Sequence, residues 1–328
     1  MPRDKVRWVA PFVSAAWVRK LQLIPEFPKF KHLELNDRPE VEAFTRQHPP
    51  YSDFNFASLW CYDTRGLNRL TRLHGNLVVQ ISDYITGESV LSFLGVQRVA
   101  DTTTALLDYA RKHKLRPELR LVPEVVAAPL MAMKDGFVAV EDEDSFDYIH
   151  SVEHLIALDH PALQSKRRGI EKLKRKRPGL EIRQLNLNES QTADNIMRLC
   201  DRWRDGKGRS ASEFETERAA IERCLSSAAH FEFVAIGAIL DGALAGFTVN
   251  EPVHDGCYMA HFGKCDQGMP GVCDLLECET ARFMRDLGCS RMNHQQDLGL
   301  PGLRQYKRSW VPPGTFLKKF SVGRHVVT

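Results

Sequence analysis

The densest concentration of chemically capable side chains lies between Asn293 and Trp310. There amides, one carboxylate, two glycines, Arg304, Lys307, Ser309 and Trp310 crowd into eighteen residues. Arg304 and Lys307 are three apart and share a face if this segment is helical. Such a pair can clamp a carboxylate or phosphate through a guanidinium fork and a point charge, with Asp297 orienting it. The structural alternative makes Asp297 the cap of that helix and Arg304 its ion-pair partner. Upstream, His261 and Lys264 share a strand-like run. Histidine is the side chain suited to passing a proton near neutral pH, and the alternative is an inward strand histidine satisfied by a backbone carbonyl. No Ser-His-Asp or Cys-His arrangement stands in a recognisable context, so a covalent enzyme intermediate is not expected.

A second segment, Lys166 to Arg177, holds eight basic residues in twelve and one acid, Glu171. On a helix, Leu163, Ile170 and Leu173 form a docking stripe and the other faces turn Lys and Arg outward. Lys166, Arg167, Arg168, Lys172 and Arg175 are the expected contacts to nucleic acid; the alternatives are a solvated face or a membrane-surface contact. A third feature is the turn Gln267-Gly268-Met269-Pro270-Gly271 before a long helix. It has the composition of a coenzyme A pyrophosphate loop, but its glycine spacing is irregular and Pro270 removes a donor.

The elements that must hold these residues read as two passes of one order. The first runs through helices at 37–47 (capped by Asp37) and 52–61 (capped by Ser52), strands at 68–73, 77–81 and 89–96, a helix at 101–113, a strand at 118–122, a helix at 124–133, and strands at 137–140 and 146–150. The second runs through helices at 161–176, 190–204 and 212–227, with a strand at 180–184. Strands at 231–240, 243–250 and 256–263, a helix at 271–287 and a strand at 291–293 complete it, with Asp241-Gly242 as a hairpin turn and Ser212/Glu215 in capping-box spacing. This is the layout of a GNAT, or acyl-CoA N-acyltransferase-like, fold. The expected class is α+β, a tandem GNAT duplication: an extension over 1–30, a first domain over 31–155 and a second over 156–328.

Composition narrows the function classes. A chain of 328 residues with 43% hydrophobic and 27% charged residues is globular, and its +3 net charge implies no partner by itself. No apolar run approaches the ~20 residues of a membrane-spanning helix. Eight cysteines without a C-x-x-C pair indicate free thiols and a cytoplasmic location; Cys265, Cys273 and Cys278 lack metal-site spacing, and no metal is expected. Arg3, Lys5 and Arg7 before Trp8–Val18 imitate a secretory signal, but Pro11 interrupts the apolar stretch and export is not expected.

Taken together, the segments resemble the soluble C-terminal domain of bacterial phosphatidylglycerol lysyltransferases and stand-alone proteins grouped with it. The likeness rests on Asn293, Gln296, Asp297, Leu298, Gly299, Gly302, Leu303, Arg304, Lys307, Ser309 and Pro312 near the end, with His294 and Gln295 departing. It extends to Leu158, Lys166, Arg167 and Ile170, although Arg168, Glu171 and Leu173 depart, to Ser52, Asp53, Phe54, Asn55, Phe56 and Leu59, and to His261, Phe262 and Lys264, spanning residues 35 to 322. The resemblance implies a tunnel between two GNAT domains and transfer of an aminoacyl group from aminoacyl-tRNA to a hydroxyl or amine acceptor, a lipid in the lysyltransferases. It implies that Lys264 and Arg304 neutralise phosphate or oxyanion charge, that Asp297 orients the donor amine and that His261 relays a proton. Asn293, Gln296, Lys307 and Ser309 are then expected at the substrate. Two alternatives stay open: an acyltransferase taking a coenzyme A thioester at the Gln267–Gly271 turn, and a non-catalytic RNA- or nucleotide-binding module.

Overall fold

A computed structural model describes residues 23–83, 86–133, 136–207, 211–310 and 315–324. The signal-like stretch at Trp8–Val18, Pro312 and the side chain of Ser212 lie outside the described residues. The first pass comprises β1 (Lys31–His32), α1 (Arg38–Thr45), α2 (Phe56–Cys61), β2 (Arg69–Leu73), β3 (Asn76–Ser82), β4 (Ser89–Leu94), α3 (Val99–Lys112), β5 (Glu118–Pro123), α4 (Glu124–Ala132), β6 (Phe137–Glu141) and β7 (Asp147–Ser151). After the short α5 (Val152–Ala157), the second comprises α6 (Gln164–Lys176), β8 (Glu181–Leu185), α7 (Ser190–Lys207), α8 (Ala211–Ser226), β9 (Val234–Leu240), β10 (Ala243–Pro252), β11 (Cys257–Cys265), α9 (Val272–Asp286), β12 (Arg291–Asn293), α10 (Pro301–Arg308), β13 (Thr315–Leu317) and β14 (Lys319–Arg324). The chain has the tandem GNAT architecture.

Local chemistry sets several boundaries. His74-Gly75 and Asp241-Gly242 each place two successive residues at positive φ, which matches the twist of the strands they join in tight hairpins. Two expected caps are corrected. Asp37 precedes α1 but its carboxylate takes the Glu34 amide instead, at 2.9 Å. Ser52 begins a short 3₁₀ turn, and Asn55 caps α2 by accepting the Ser58 amide at 2.8 Å. Ser52 is drawn away by a stronger acceptor, the Asp147 carboxylate, with its hydroxyl at 2.6 Å and its amide at 2.8 Å.

The sheets show how the two passes are joined. One sheet runs β1-β2-β3-β4; a second runs β13-β7-β12-β11-β10-β9-β8; a third runs β5-β14-β6. The final strand of each pass is thus exchanged. β7 leaves the first half to lie between β12 and β13, and β14 returns from the second to lie between β5 and β6. Phe320 and Val322 of β14 are buried in the core of α3, α4 and β5, while Phe231 of the second half joins the cluster around Phe54, Phe56 and Leu59. Helices α5, α6 and α9 cover one face of the seven-stranded sheet, and α7 and α8 the other.

Both halves open at the same place in their order. β4 and β5 lie alongside one another without joining a ladder, and the Ser92 hydroxyl spans the gap to the Leu121 carbonyl at 3.0 Å. β11 and β12 pair only over Cys257–Met259 and Arg291–Asn293 before they diverge.

Candidate active site

The second opening holds polar chemistry that the first lacks. β3 and β4 pair in unbroken register, but between β10 and β11 Val249 faces Phe262 and Asn250 faces Ala260. His261 is the extra residue of a β-bulge. Bulges re-aim side chains, and here His261 and Phe262 both turn toward the α7–α8 side. Within that bend, His261 Nε2 meets Glu251 Oε2 at 3.2 Å, and Asn55 Nδ2 donates to the same oxygen at 2.8 Å. The Arg38 guanidinium approaches the other oxygen at 3.9 Å. Burial pushes the Glu251 carboxyl up, but the hydrogen bond and charge of His261, with Asn55 and Arg38, bring it below its ordinary value. Gln295 Nε2 crosses the opening to donate to the Ala260 carbonyl at 2.9 Å and lies 3.4 Å from His261 Nδ1. His261 therefore meets a carboxylate on one nitrogen and an amide on the other, rather than the backbone carbonyl alternative.

Next to this group is an open groove of about 330 Å³, lined by Phe231, Phe233 and the turn after β8. The Phe233 ring presents its edge to His261, with centroids 5.6 Å apart, and stacks on Phe231 at 4.8 Å. The side chain of His261 is wholly buried, so Phe233 stands between it and the groove.

The segment after β12 is tightly tied down. Asp297, without exposed surface, accepts from Tyr148 Oη at 2.5 Å, from Arg304 Nε at 2.8 Å and Nη2 at 2.7 Å, and from the Gly299 amide at 2.9 Å. Burial works to raise this carboxyl, but those bonds, that of Arg304 first, hold it below its ordinary range. Asp297 does not cap α10, which starts behind Leu300. Arg304 has a second carboxylate partner, Asp144. Lys307 is buried and donates to the His294 and Gln296 carbonyls, both at 2.5 Å; burial pulls its ammonium down to about 7. Ser309 donates to the Tyr306 carbonyl at 2.6 Å. Lys264 is elsewhere: it pairs with Glu217 at 2.5 Å and lies over the Trp203 ring at 4.6 Å. The structure brings Asp297 and Arg304 into contact, with Lys307 one turn further along α10, and leaves Lys264 beside α7 and α8.

Asn293 and Gln296 belong to a different construction, the crossing of the exchanged strands. Asp147 opens β7 and Lys319 opens β14, and their ion pair, at 2.8 Å, is completely enclosed. Lys319 also pairs with Asp53. Around them Ser52 donates to Asp147, Asn293 donates to Asp147 at 3.2 Å and to the Pro50 carbonyl at 2.8 Å, and Gln296 donates to Asp53. Burial raises the Asp53 carboxyl, Lys319 opposes that and Asp147 adds to it. Two carboxylates share one ammonium here.

Behind the sheet, Glu277 of α9 is pushed by burial up to about 7, and its Oε1 has no hydrogen bond among the described residues although His294 Nε2 lies 3.9 Å away. Burial holds the His150 imidazole down to about 4 and keeps His294 low, so both are neutral.

The basic helix divides. Arg167, Arg168, Lys172 and Arg175 of α6 are exposed, with Arg167 reaching Glu171 at 3.3 Å. Lys166 turns inward, where it pairs with Asp274 at 2.8 Å and lies 4.2 Å from the Trp310 ring, so its expected outward aim is corrected. The Gln267–Gly271 turn does not fit a pyrophosphate. Gly271 is at φ +95 and a β-carbon there would stand 2.8 Å from the Gly169 carbonyl oxygen, so α6 covers the approach. Asp266 takes the Gly268 amide at 2.8 Å and Asp274 lies in the first turn of α9, both repelling an anion. All eight cysteines are free and seven are buried. Among the described residues no group of His, Cys, Asp and Glu is arranged to hold a metal ion, and no helix is long and apolar enough to cross a membrane.

Glu251, Gln295, Asn55, Asp147 and Lys319 went unassigned in the sequence reading. Asn250-Glu251 does break an otherwise apolar central strand, which is a legible signal. Gln295 stood out only as a departure from a motif.

Two passes of one order, an opening beside a bulged central strand and helices on both faces define a protein of the tandem GNAT class. Comparison with known families is more specific: the model of the phosphatidylglycerol lysyltransferase C-terminal family matches residues 47–321, and the chain belongs to that family. Among solved structures, a protein of unknown function from Bacteroides thetaiotaomicron VPI-5482 is similar at TM-score 0.78 and 22% identity, over 90% of this chain and 99% of that one. A C-terminal DUF2156 domain from Agrobacterium fabrum is similar at TM-score 0.60 and 11% identity, over 88% and 92%. L-PGS from Bacillus licheniformis is similar at TM-score 0.57 and 13% identity, over 89% and 93%. Comparison with curated proteins gives no match.

Proposed function

We propose that the protein is an acyl-group transferase that moves an aminoacyl group from aminoacyl-tRNA to a hydroxyl or amine acceptor by direct transfer. The observation that carries the reading is the bulge that turns His261 onto Glu251 beside the opening between β11 and β12. An aminoacyl ester is already activated, so the protein needs mainly to position the reactants and manage one proton. The donor's reactive end enters by the groove and displaces the Phe233 ring. The acceptor oxygen or nitrogen attacks the ester carbonyl as His261 Nδ1 takes its proton, with Glu251 stabilising the imidazolium through Nε2. Collapse of the tetrahedral oxyanion breaks the bond to the ribose oxygen, which regains the proton from His261. Gln295, already bonded to a carbonyl oxygen across the opening, is the amide nearest the developing oxyanion. The exposed cations of α6 serve the donor's phosphates.

The family and the fold support a transferase over a plain binding module. The blocked turn before α9 weighs against the coenzyme A alternative. Asp297, Arg304 and Lys307 act in this reading as the brace of the loop that carries Gln295, and Lys264 as the brace of the α7–α8 hairpin. The test is transfer of labelled amino acid from charged tRNA to a mixture of lipid and amine acceptors. His261→Ala should reduce turnover at least ~100-fold with tRNA affinity retained. Acyl transfer from acetyl-CoA, with none from charged tRNA, would overturn the reading.

A further inference from the structure

The groove beside Phe233 has a chemistry of its own. Its volume, about 330 Å³, lies in the range of small-molecule pockets. Its lining joins the rings of Phe231 and Phe233 and the side chain of Leu187 to the amides Gln184, Asn186 and Asn188. No ionisable side chain lines it, so a charged ligand group would lose hydration there without gaining a counter-charge. Asn186 is spent on the turn itself: its Nδ2 donates to Glu189 at 3.1 Å and its Oδ1 takes the Asn188 amide at 3.1 Å. The side-chain amides of Gln184 and Asn188 make no hydrogen bond with any described residue. Each offers a donor and an acceptor pointing in one plane. Phe231 is held from behind by Phe56, with ring centroids 6.2 Å apart, and by the Arg38 guanidinium at 5.0 Å, so this ring has a fixed backing.

An uncharged ring with donors and acceptors on its edge and a π face for stacking satisfies every side of this groove. Arg183 of β8 is exposed one residue before Gln184 and reaches Glu181 at 3.8 Å, while α6 packs over the other face of the seven-stranded sheet. A base therefore meets no ionisable side chain among those that line the groove.

We propose that this groove is a nucleobase pocket, which under the transferase reading above seats the terminal base of the RNA-borne donor next to His261. The ligand chemistry is shared by free nucleosides and by the end of an RNA strand, and the experiment separates them. Saturation-transfer NMR on the full chain with adenosine should saturate the base protons more strongly than the ribose protons, and ribose alone should give no signal. Phe233→Leu and Asn188→Leu should each weaken adenosine about tenfold while leaving the melting temperature of the protein in place. A short single-stranded RNA ending in adenosine should displace adenosine with greater affinity and a steep salt dependence if the strand end is the ligand. Equal displacement by the mononucleotide and the strand would assign the pocket to free nucleotides. Absence of saturation at millimolar adenosine, competition by ribose alone, or unchanged affinity in both variants would overturn the proposal. Because binding is read without turnover, adenosine binding with no transfer would sink only the transferase reading. Transfer without nucleoside binding would sink only this one.

Discussion

Replacing Lys319 by Met isolates the crossing of the exchanged strands. The variant keeps a side chain of similar length but removes the one ammonium between Asp147, which is fully enclosed, and Asp53, whose side chain is 8% exposed. Breaking a buried pair from one side costs ~3–5 kcal/mol, because the remaining carboxylates keep their desolvation penalty. In a chain of this size that corresponds to a fall of about 4–7 °C in melting temperature. The pH dependence gives a second, independent sign. Burial raises the Asp53 carboxyl, so its ionised form opposes folding above the unfolded pKa, and the opposition fades as pH drops through the folded value. Without Lys319 the opposition grows. The deficit at neutral pH should therefore shrink as the pH is lowered toward the ordinary carboxylate range, and Asp53→Asn in the same chain should recover part of it. The assay is calorimetric melting of wild type, single and double variants at neutral and at lowered pH. A melting point within about 2 °C of wild type, or a deficit that is independent of pH, would refute the claim that this cluster fastens the two halves together.

Other outcomes follow from the same structure. Glu277, raised by burial to about 7, makes the protein less stable as pH climbs from its unfolded value through neutrality; Glu277→Gln should remove up to ~3 kcal/mol of that pH dependence from the unfolding free energy measured by urea titration. Reversing Arg167, Arg168, Lys172 and Arg175 to Glu should lower RNA affinity and the salt slope by ~0.7 per cation in single-strand titrations, whereas Lys166→Met should leave the slope alone and lower the melting temperature. Glu251→Gln should cut kcat ~10-fold or more in the transfer assay with KM nearly unchanged, since the carboxylate acts through His261 and not on the substrate. A KM effect alone would remove Glu251 from the proton relay.

Strand and helix positions were legible because the period of apolar residues reports burial directly, and the Asp241-Gly242 and His74-Gly75 turns have few alternatives. Caps were less legible: Ser52 has the right chemistry to cap, but a buried carboxylate 95 residues away in sequence competes for it. The candidate site was only half visible. His261 could be named from its residue type, but the bulge that turns it onto Glu251 depends on a one-residue mismatch between two strands that composition does not encode. The cluster of Asp297, Arg304 and Lys307 drew notice for its charge density. Much of that charge is consumed internally, with Arg304 on Asp297 and Asp144 and Lys307 on two backbone carbonyls. Exchange of β7 and β14 was invisible, since each strand has the same pattern whichever sheet receives it.

That reciprocal arrangement has a consequence for biosynthesis. The sheet of α3, α4 and β5 lacks its middle member until residues 319–324 have left the ribosome, some two hundred residues after β5 itself. During translation the amino-terminal portion must wait with Leu119, Val122 and Val126 incompletely covered, a natural client for a holding chaperone. Cutting the chain between the passes would yield two fragments that each carry the other's closing strand, and only their reunion, not either piece alone, could restore a finished molecule.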